Sequence, residues 1–278
     1  MCDACVMNSV AARLGRRGVL AAMAAATLGL SAHPAGAQLL GRVAGAPLRA
    51  APVNRAVDLT HRLHPAFPTF GGTPAIEIEP VLSIARDGYF INKLTYTEHV
   101  GTHFDAPAHF AAGGATVDAL PVEALVCPLV VLDVRRQAAA DPDYQATPAD
   151  LAALEAAHGR LPQGACLALL SGWDAHVETP RFRNADAAGV LRFPGFRPDL
   201  VPLLLDRGVA GVAVDTLSLD HGGSRDFAFH GTWLGAGRWG LEAAANLGDL
   251  PVVGATLVAG APRIAGGSGG PGRAIALV

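Results

Sequence analysis

Continuous apolar runs, separated by polar and glycine-rich stretches, organise this chain. LVVLDV (129–134), CLALLSGW (166–173), VAGVAVDTLSL (209–219), VVGATLVAG (252–260) and AIALV (274–278) do not alternate with polar residues. Runs of this kind predict strands covered on both faces. Between them, PADLAALEAAHG (148–159) and PDLVPLLLDRG (198–208) each carry an early proline, an apolar stripe and a closing glycine. That is the asymmetry of helix ends. WGLEAAANLG (239–248) reads as a third helix. This order of elements predicts an α/β fold with a largely buried mixed sheet. No internal repeat and no convincing linker divides it.

Composition narrows the picture. The chain has 278 residues, 51% apolar and only 16% charged, which suits a buried globular core. A net charge of -3, with no basic patch, gives no reason to expect a nucleic-acid partner.

The N-terminus reads differently. Arg16 and Arg17 precede GVLAAMAAATLGLSA, fifteen residues without a charge. A membrane span needs about 20, so a cleaved signal peptide over residues 1–37 fits better. Ala35-Gly36-Ala37 supplies the small residues of a cleavage site, and the arginine pair points to the twin-arginine route, with Sec export as the alternative. A Pro/Ala-rich lead (38–55) would then precede the domain (56–278). The expected location is periplasmic or secreted, with no membrane contact after cleavage. Cys2 and Cys5 would be lost; Cys127 and Cys166, beside apolar strand-like runs, read as buried free thiols.

AGGSGGPGR (265–273) contains a nominal G-x-S-x-G. A nucleophile elbow needs a helix after it and a later histidine, and here neither follows. It fails as a dinucleotide fingerprint for want of a helix and an acidic residue downstream. It reads as a loop.

Chemistry concentrates in HVGTHFDAPAHF (99–110), which holds His99, His103, Asp105 and His109. Four such groups desolvated together need a partner. A helix is excluded by Gly101 and by Pro107. A continuous strand would spread the ligands over about 20 Å. The remaining solution is a folded loop after the strand LTYTEH, in which Gly101 turns the backbone so that His99, His103 and Asp105 converge. Pro107 fixes the exit and leaves His109 near the ligands but outside them. Imidazole and carboxylate donors suit zinc or manganese, and three of them leave open positions for water.

These residues complete the pattern H-x-G-T-H-x-D-x-P-x-H, and the chain thereby resembles the metal-dependent cyclase family of bacterial kynurenine formamidases and isatin hydrolases. The resemblance runs from VDLTHRLHPAFPTFGGTP (57–74) to the C-terminus. DTLSLDHGGSRDFAFHGTWLGAGRWGLE (215–242) resembles the second block, with Asp215, Ser218, Asp220 and Ser224 in place. His230 and Glu242 match its remaining metal ligands.

The resemblance implies a swivelling β/β/α-type single domain, a homodimer or homotetramer, and one or two zinc or manganese ions per subunit. In formamidase-like members His99, His103 and Asp105 would hold one ion, and Asp105, His230 and Glu242 the second; in isatin hydrolase-like members one manganese suffices. The expected activity is hydrolysis of an aryl or cyclic amide: the metal brings the pKa of a bound water towards ~7, and His109 acts as general acid and base. Phe67 and Phe70 occupy the region where the family sets aromatic rings against a flat substrate. Two other classes stay open, a non-catalytic metal-binding export protein and a metal-dependent lyase.

Overall fold

The computed structural model describes residues 53–278. The expected signal peptide and the lead up to residue 52 lie outside the described residues. The chain enters on β1 (Ala56–Asp58), then forms a separate hairpin of β2 (Ile76–Leu82) and β3 (Ile91–Tyr96) around the one-turn helix α1 (Ile84–Asp87). A short strand β4 (His103–Asp105) follows. The middle of the chain runs β5 (Val126–Asp133), α2 (Arg135–Ala140), β6 (Gln145–Ala146), α3 (Pro148–His158) and β7 (Cys166–Leu170). Next come β8 (Gly195–Phe196), α4 (Val201–Asp206), β9 (Gly211–Val214), α5 (Ala228–Gly235) and β10 (Trp239–Glu242). The last strands are β11 (Ala255–Gly260), β12 (Gly269–Pro271) and β13 (Arg273–Leu277).

Nine of these strands form one mixed sheet in the order β1-β13-β11-β5-β7-β9-β10-β4-β12. Its centre, β5-β7-β9-β10, is parallel, and both flanks are antiparallel. The apolar runs form the centre because both faces are covered. Leu129, Val131, Ala168 and Leu241 pack on one side with Phe104 and Trp239. Val130, Leu132, Leu167, Leu169, Val212 and Val214 pack on the other against Leu151, Val201, Leu204, Phe229 and Trp233 of the helices. Each such leucine removed from water contributes roughly 1.5–3 kcal/mol. Cys127 and Cys166 are buried free thiols in this core. Among the described residues, no helix is long and apolar enough to cross a membrane.

Helix α3 starts where its sequence places it. The Thr147 hydroxyl accepts from the Asp150 N–H, and the Asp150 carboxylate accepts from the Thr147 N–H, closing a capping box. The segment read as a third helix is instead β10 followed by a buried loop. Alanine, leucine and glutamate favour a helix locally, but pairing with β9 on one side and β4 on the other satisfies this backbone within the sheet. The glycine-rich stretch is likewise not wholly a loop, since Gly269–Pro271 adds an edge strand to β4.

Candidate metal centre

The histidine cluster is part strand and part turn. Gly101 sits at φ +68°, a conformation open to glycine at little cost. It reverses the chain between His99 and β4. His103 and Asp105 then lie two residues apart on β4, so their side chains share a face. The expectation of a loop throughout is corrected here: only three residues are extended, short enough to keep the ligands together. Residues Pro107–His109 form one 3-10 turn with proline at its start.

Two more ligand candidates arrive from other elements. The antiparallel register of β10 with β4 sets Glu242 directly opposite His103, which brings side chains to roughly 5 Å between Cβ atoms. His230 lies in the first turn of α5. Asp220 accepts from the backbone N–H groups of Phe229 and His230, at 2.9 and 3.1 Å, and from His230 Nδ1 at 2.6 Å. One carboxylate therefore starts the helix and aims the imidazole, leaving Nε2 to face inward.

Asp105 lies at the centre of the resulting cluster. Its Oδ1 is 2.7 Å from His99 Nδ1 and 3.5 Å from His103 Nε2, while Oδ2 is 3.3 Å from His230 Nε2. Glu242 Oε2 is 3.3 Å from His103 Nε2, and its Oε1 is 2.9 Å from His230 Nε2. His99–His103–Asp105 and Asp105–His230–Glu242 thus form two groups of ligand atoms, each compact enough for one ion. His103 Nε2 and Asp105 Oδ2 are buried and have no hydrogen-bond partner. Unpartnered polar atoms cost about 1–3 kcal/mol each when buried, and two divalent-ion sites sharing Asp105 would satisfy both. The donors fit such ions.

The charges agree with this. Burial opposes a charged His103 ring, yet Asp105 and Glu242 outweigh it and raise its pKa to about 10. His230 is raised well above its usual value against the same burial, by Asp105, Asp220 and Glu242. Asp105 is held well below the usual carboxylate range by the three imidazoles, despite complete burial. A divalent ion would take the place of these protons.

His109 stacks on His99, with ring centroids 3.8 Å apart. It lines the same cavity without belonging to either ligand group. Burial lowers its affinity for a proton; the Asp105 charge works against this, and the His99 and His230 rings with it. The cavity is about 300 Å³, with His99, His103, His230 and Glu242 in its lining and Phe70, Phe110 and Phe227 among its apolar residues. Phe227 is 5.8 Å from Phe70 and 6.0 Å from Phe110, ring centre to ring centre. The backbone of Phe227 is left-handed, at φ +48°, and such strain collects at functional sites.

Phe67 does not line this cavity. It is 3% exposed and packs with Trp173, Phe182 and Phe193 beneath the loop, so of the two phenylalanines only Phe70 faces the site. Asp215 supports a neighbouring loop, accepting from the N–H groups of Ser171, Gly172 and Trp173 and from the Ser171 hydroxyl. Burial pushes its carboxyl up to about 7. Ser224 accepts from the Phe227 N–H, and Ser218 turns a buried, unpaired hydroxyl within the cavity lining. Phe110, Phe227, Glu98 and Ser268 were not legible as site residues. Phe110 follows His109 directly, a hint by position alone, and Ser268 bonds to His99 from the glycine-rich stretch.

Fold and site together bring a buried, carboxylate-centred group of His, Asp and Glu side chains that could hold a metal ion against an aromatic cavity. The chain belongs to the cyclase family: the family model described as "Putative cyclase" matches residues 57–221. It is 36% identical over 217 residues to an isatin hydrolase of Roseibium aggregatum, covering 74% of this chain and 82% of that protein. It is 28% identical over 221 residues to a kynurenine formamidase of Salinibacter ruber, covering 79% and 95%. A crystal structure of an isatin hydrolase bound to the product analogue thioisatinate superposes with a TM-score of 0.75 at 32% identity, covering 80% of this chain and 92% of that one. These relatives are hydrolases.

Proposed function

We propose that this chain is an exported, metal-dependent hydrolase of aryl or cyclic amides. The observation that carries the reading is Asp105, shared by two compact ligand groups whose histidines and Glu242 line the aromatic cavity. His99, His103 and Asp105 would hold one zinc or manganese ion, and Asp105, His230 and Glu242 a second. Bound there, such an ion supplies Lewis acidity, drawing the pKa of water down and polarising a carbonyl.

The chain's own residues do the rest. A ring nitrogen of His109, neutral near pH 7 because its pKa is lowered, takes the proton of the attacking water and returns it to the leaving nitrogen. The Ser218 hydroxyl is free to donate to a substrate oxygen. Phe70, Phe110 and Phe227 receive a flat ring and exclude water around it. The product is a carboxylate and an amine, joined in one molecule when the substrate is cyclic. Assembly as a homodimer or homotetramer, and export through Arg16 and Arg17, complete the proposal.

A second reading, an isatin-type lactam hydrolase using one manganese, is favoured by the higher identity to the isatin hydrolase. One experiment separates them. Metal-stripped protein is reloaded with manganese or zinc, its bound ions are counted, and it is offered N-formylanilines, isatin, other lactams and lactones. Two ions per chain with formanilide turnover support the first reading; one ion with isatin turnover supports the second. Turnover of none of these amides would overturn both.

A further inference from the structure

The glycine-rich stretch 265–273, whose sequence reads as a loop, lies against the metal centre. Ser268 stands between two residues of the preceding turn. Its hydroxyl donates to Glu98 Oε2, and its backbone N–H donates to the same oxygen at 3.1 Å. On the other side, the Ser268 oxygen is 3.0 Å from His99 Nε2. A hydroxyl has one proton to give. With that proton committed to Glu98, Ser268 can only accept from His99, so Nε2 carries a proton and only Nδ1 can give its own up to an ion. Nδ1 is left facing Asp105 Oδ1 at 2.7 Å, inside the first ligand group.

The flanking glycines serve the same pair. A Cβ on Gly267 would lie 2.8 Å from Glu98 Oε1, and one on Gly269 would lie 2.7 Å from His99 Cε1 and 2.2 Å from the Phe104 carbonyl oxygen. Real Cβ atoms do not approach so closely. Gly267 therefore makes room for the carboxylate and Gly269 for the ring, with the serine joining the two. The other imidazoles have fixed outer nitrogens as well: His103 Nδ1 bonds to the Gly101 carbonyl at 2.9 Å, and His230 Nδ1 to Asp220. His99 alone depends on a segment 169 residues away in sequence.

We infer that Ser268, backed by Glu98, is a positioning residue that fixes the tautomer and orientation of His99 and so sets the affinity of the first metal site. This rests on the metal reading of the cluster. Partners that orient a ligating histidine typically contribute 10- to 100-fold in metal affinity.

The test is calorimetric titration of chelator-stripped full-length protein with Mn2+ and, separately, Zn2+. Ser268→Ala should weaken binding 10- to 100-fold at the site whose filling shifts the His99 ring resonances, and Ser268→Thr, which keeps the hydroxyl, should restore most of it. The thermal midpoint of the metal-free Ser268→Ala protein should stay near that of wild type. In zinc-loaded wild type, nitrogen-15 NMR of the His99 ring should show the proton on Nε2 and zinc on Nδ1. Ser268→Ala affinity within threefold of wild type, or zinc on Nε2, overturns the inference while leaving the metal reading standing. Failure of wild-type protein to bind either metal overturns both. If Ser268→Ala does not fold, the threonine variant and the NMR assignment decide.

Discussion

Metal binding at this centre has to displace a proton, and the contacts of His103 show how firmly it is held. The carboxylates of Asp105 and Glu242, 3.5 and 3.3 Å from Nε2, overcome burial and bring the pKa to about 10. Only the neutral ring can ligate. At pH 7 an ion therefore competes with a proton held about three pH units above ambient, which at ~1.36 kcal/mol per unit is about 4 kcal/mol, or roughly 10³ in apparent affinity. His230 is raised as well, so at least one proton should leave at pH 7. Titration calorimetry with Mn2+ at pH 7 and 9, in buffers of different ionisation enthalpy, measures both quantities. The apparent Kd should fall about tenfold per pH unit for each proton displaced. A flat affinity with no proton released would refute the assignment of His103 as a ligand. The metal-free protein has the opposite slope. The folded pKa of His103 lies above its unfolded value of ~6.5, so its stabilising contribution is full below that and fades as pH rises through about 10.

Four substitutions probe the rest of the site and the core beside it. His109→Gln should retain metal and fold while kcat drops 10²- to 10⁴-fold and KM changes less; metal loss, or near-normal turnover, would contradict its role in proton transfer. Phe67→Ala, by emptying a core position, should cost about 3–5 kcal/mol in urea denaturation, whereas Phe70→Ala should leave stability nearly unchanged and raise KM; the reverse pattern would contradict their placement. Gly101→Ala forces a side chain into φ +68° with its Cβ 2.9 Å from Leu63 Cδ1. It should cost at least ~1–2 kcal/mol and weaken metal binding by tilting the carbonyl that holds His103; wild-type melting and affinity would contradict this.

The central strands were legible because burial on both faces leaves an unbroken apolar signature, as in β5, β7 and β9. The convergence of His99, His103 and Asp105 was legible from their spacing around Gly101. Strand β4 was not, because its three residues are two ligands and a phenylalanine, with no apolar run to mark them. Glu242 was recognised through the family resemblance but placed on a helix, since the alanines after it favour one and only the sheet pairing overrides them. Ser268 gave no signal. Its role depends on a register between β12 and β4 that no local pattern in the glycine-rich stretch encodes, and the function of Gly267 and Gly269 there is to lack side chains.

Chelation and reloading test the account at its centre. Protein stripped of metal and verified metal-free by elemental analysis is assayed for hydrolysis of N-formylaniline and isatin, then assayed again after Mn2+ or Zn2+ is restored, with His103→Gln alongside. The account predicts that turnover vanishes on stripping, returns with the ion in wild type, and does not return in His103→Gln; full turnover by the verified metal-free protein would contradict it.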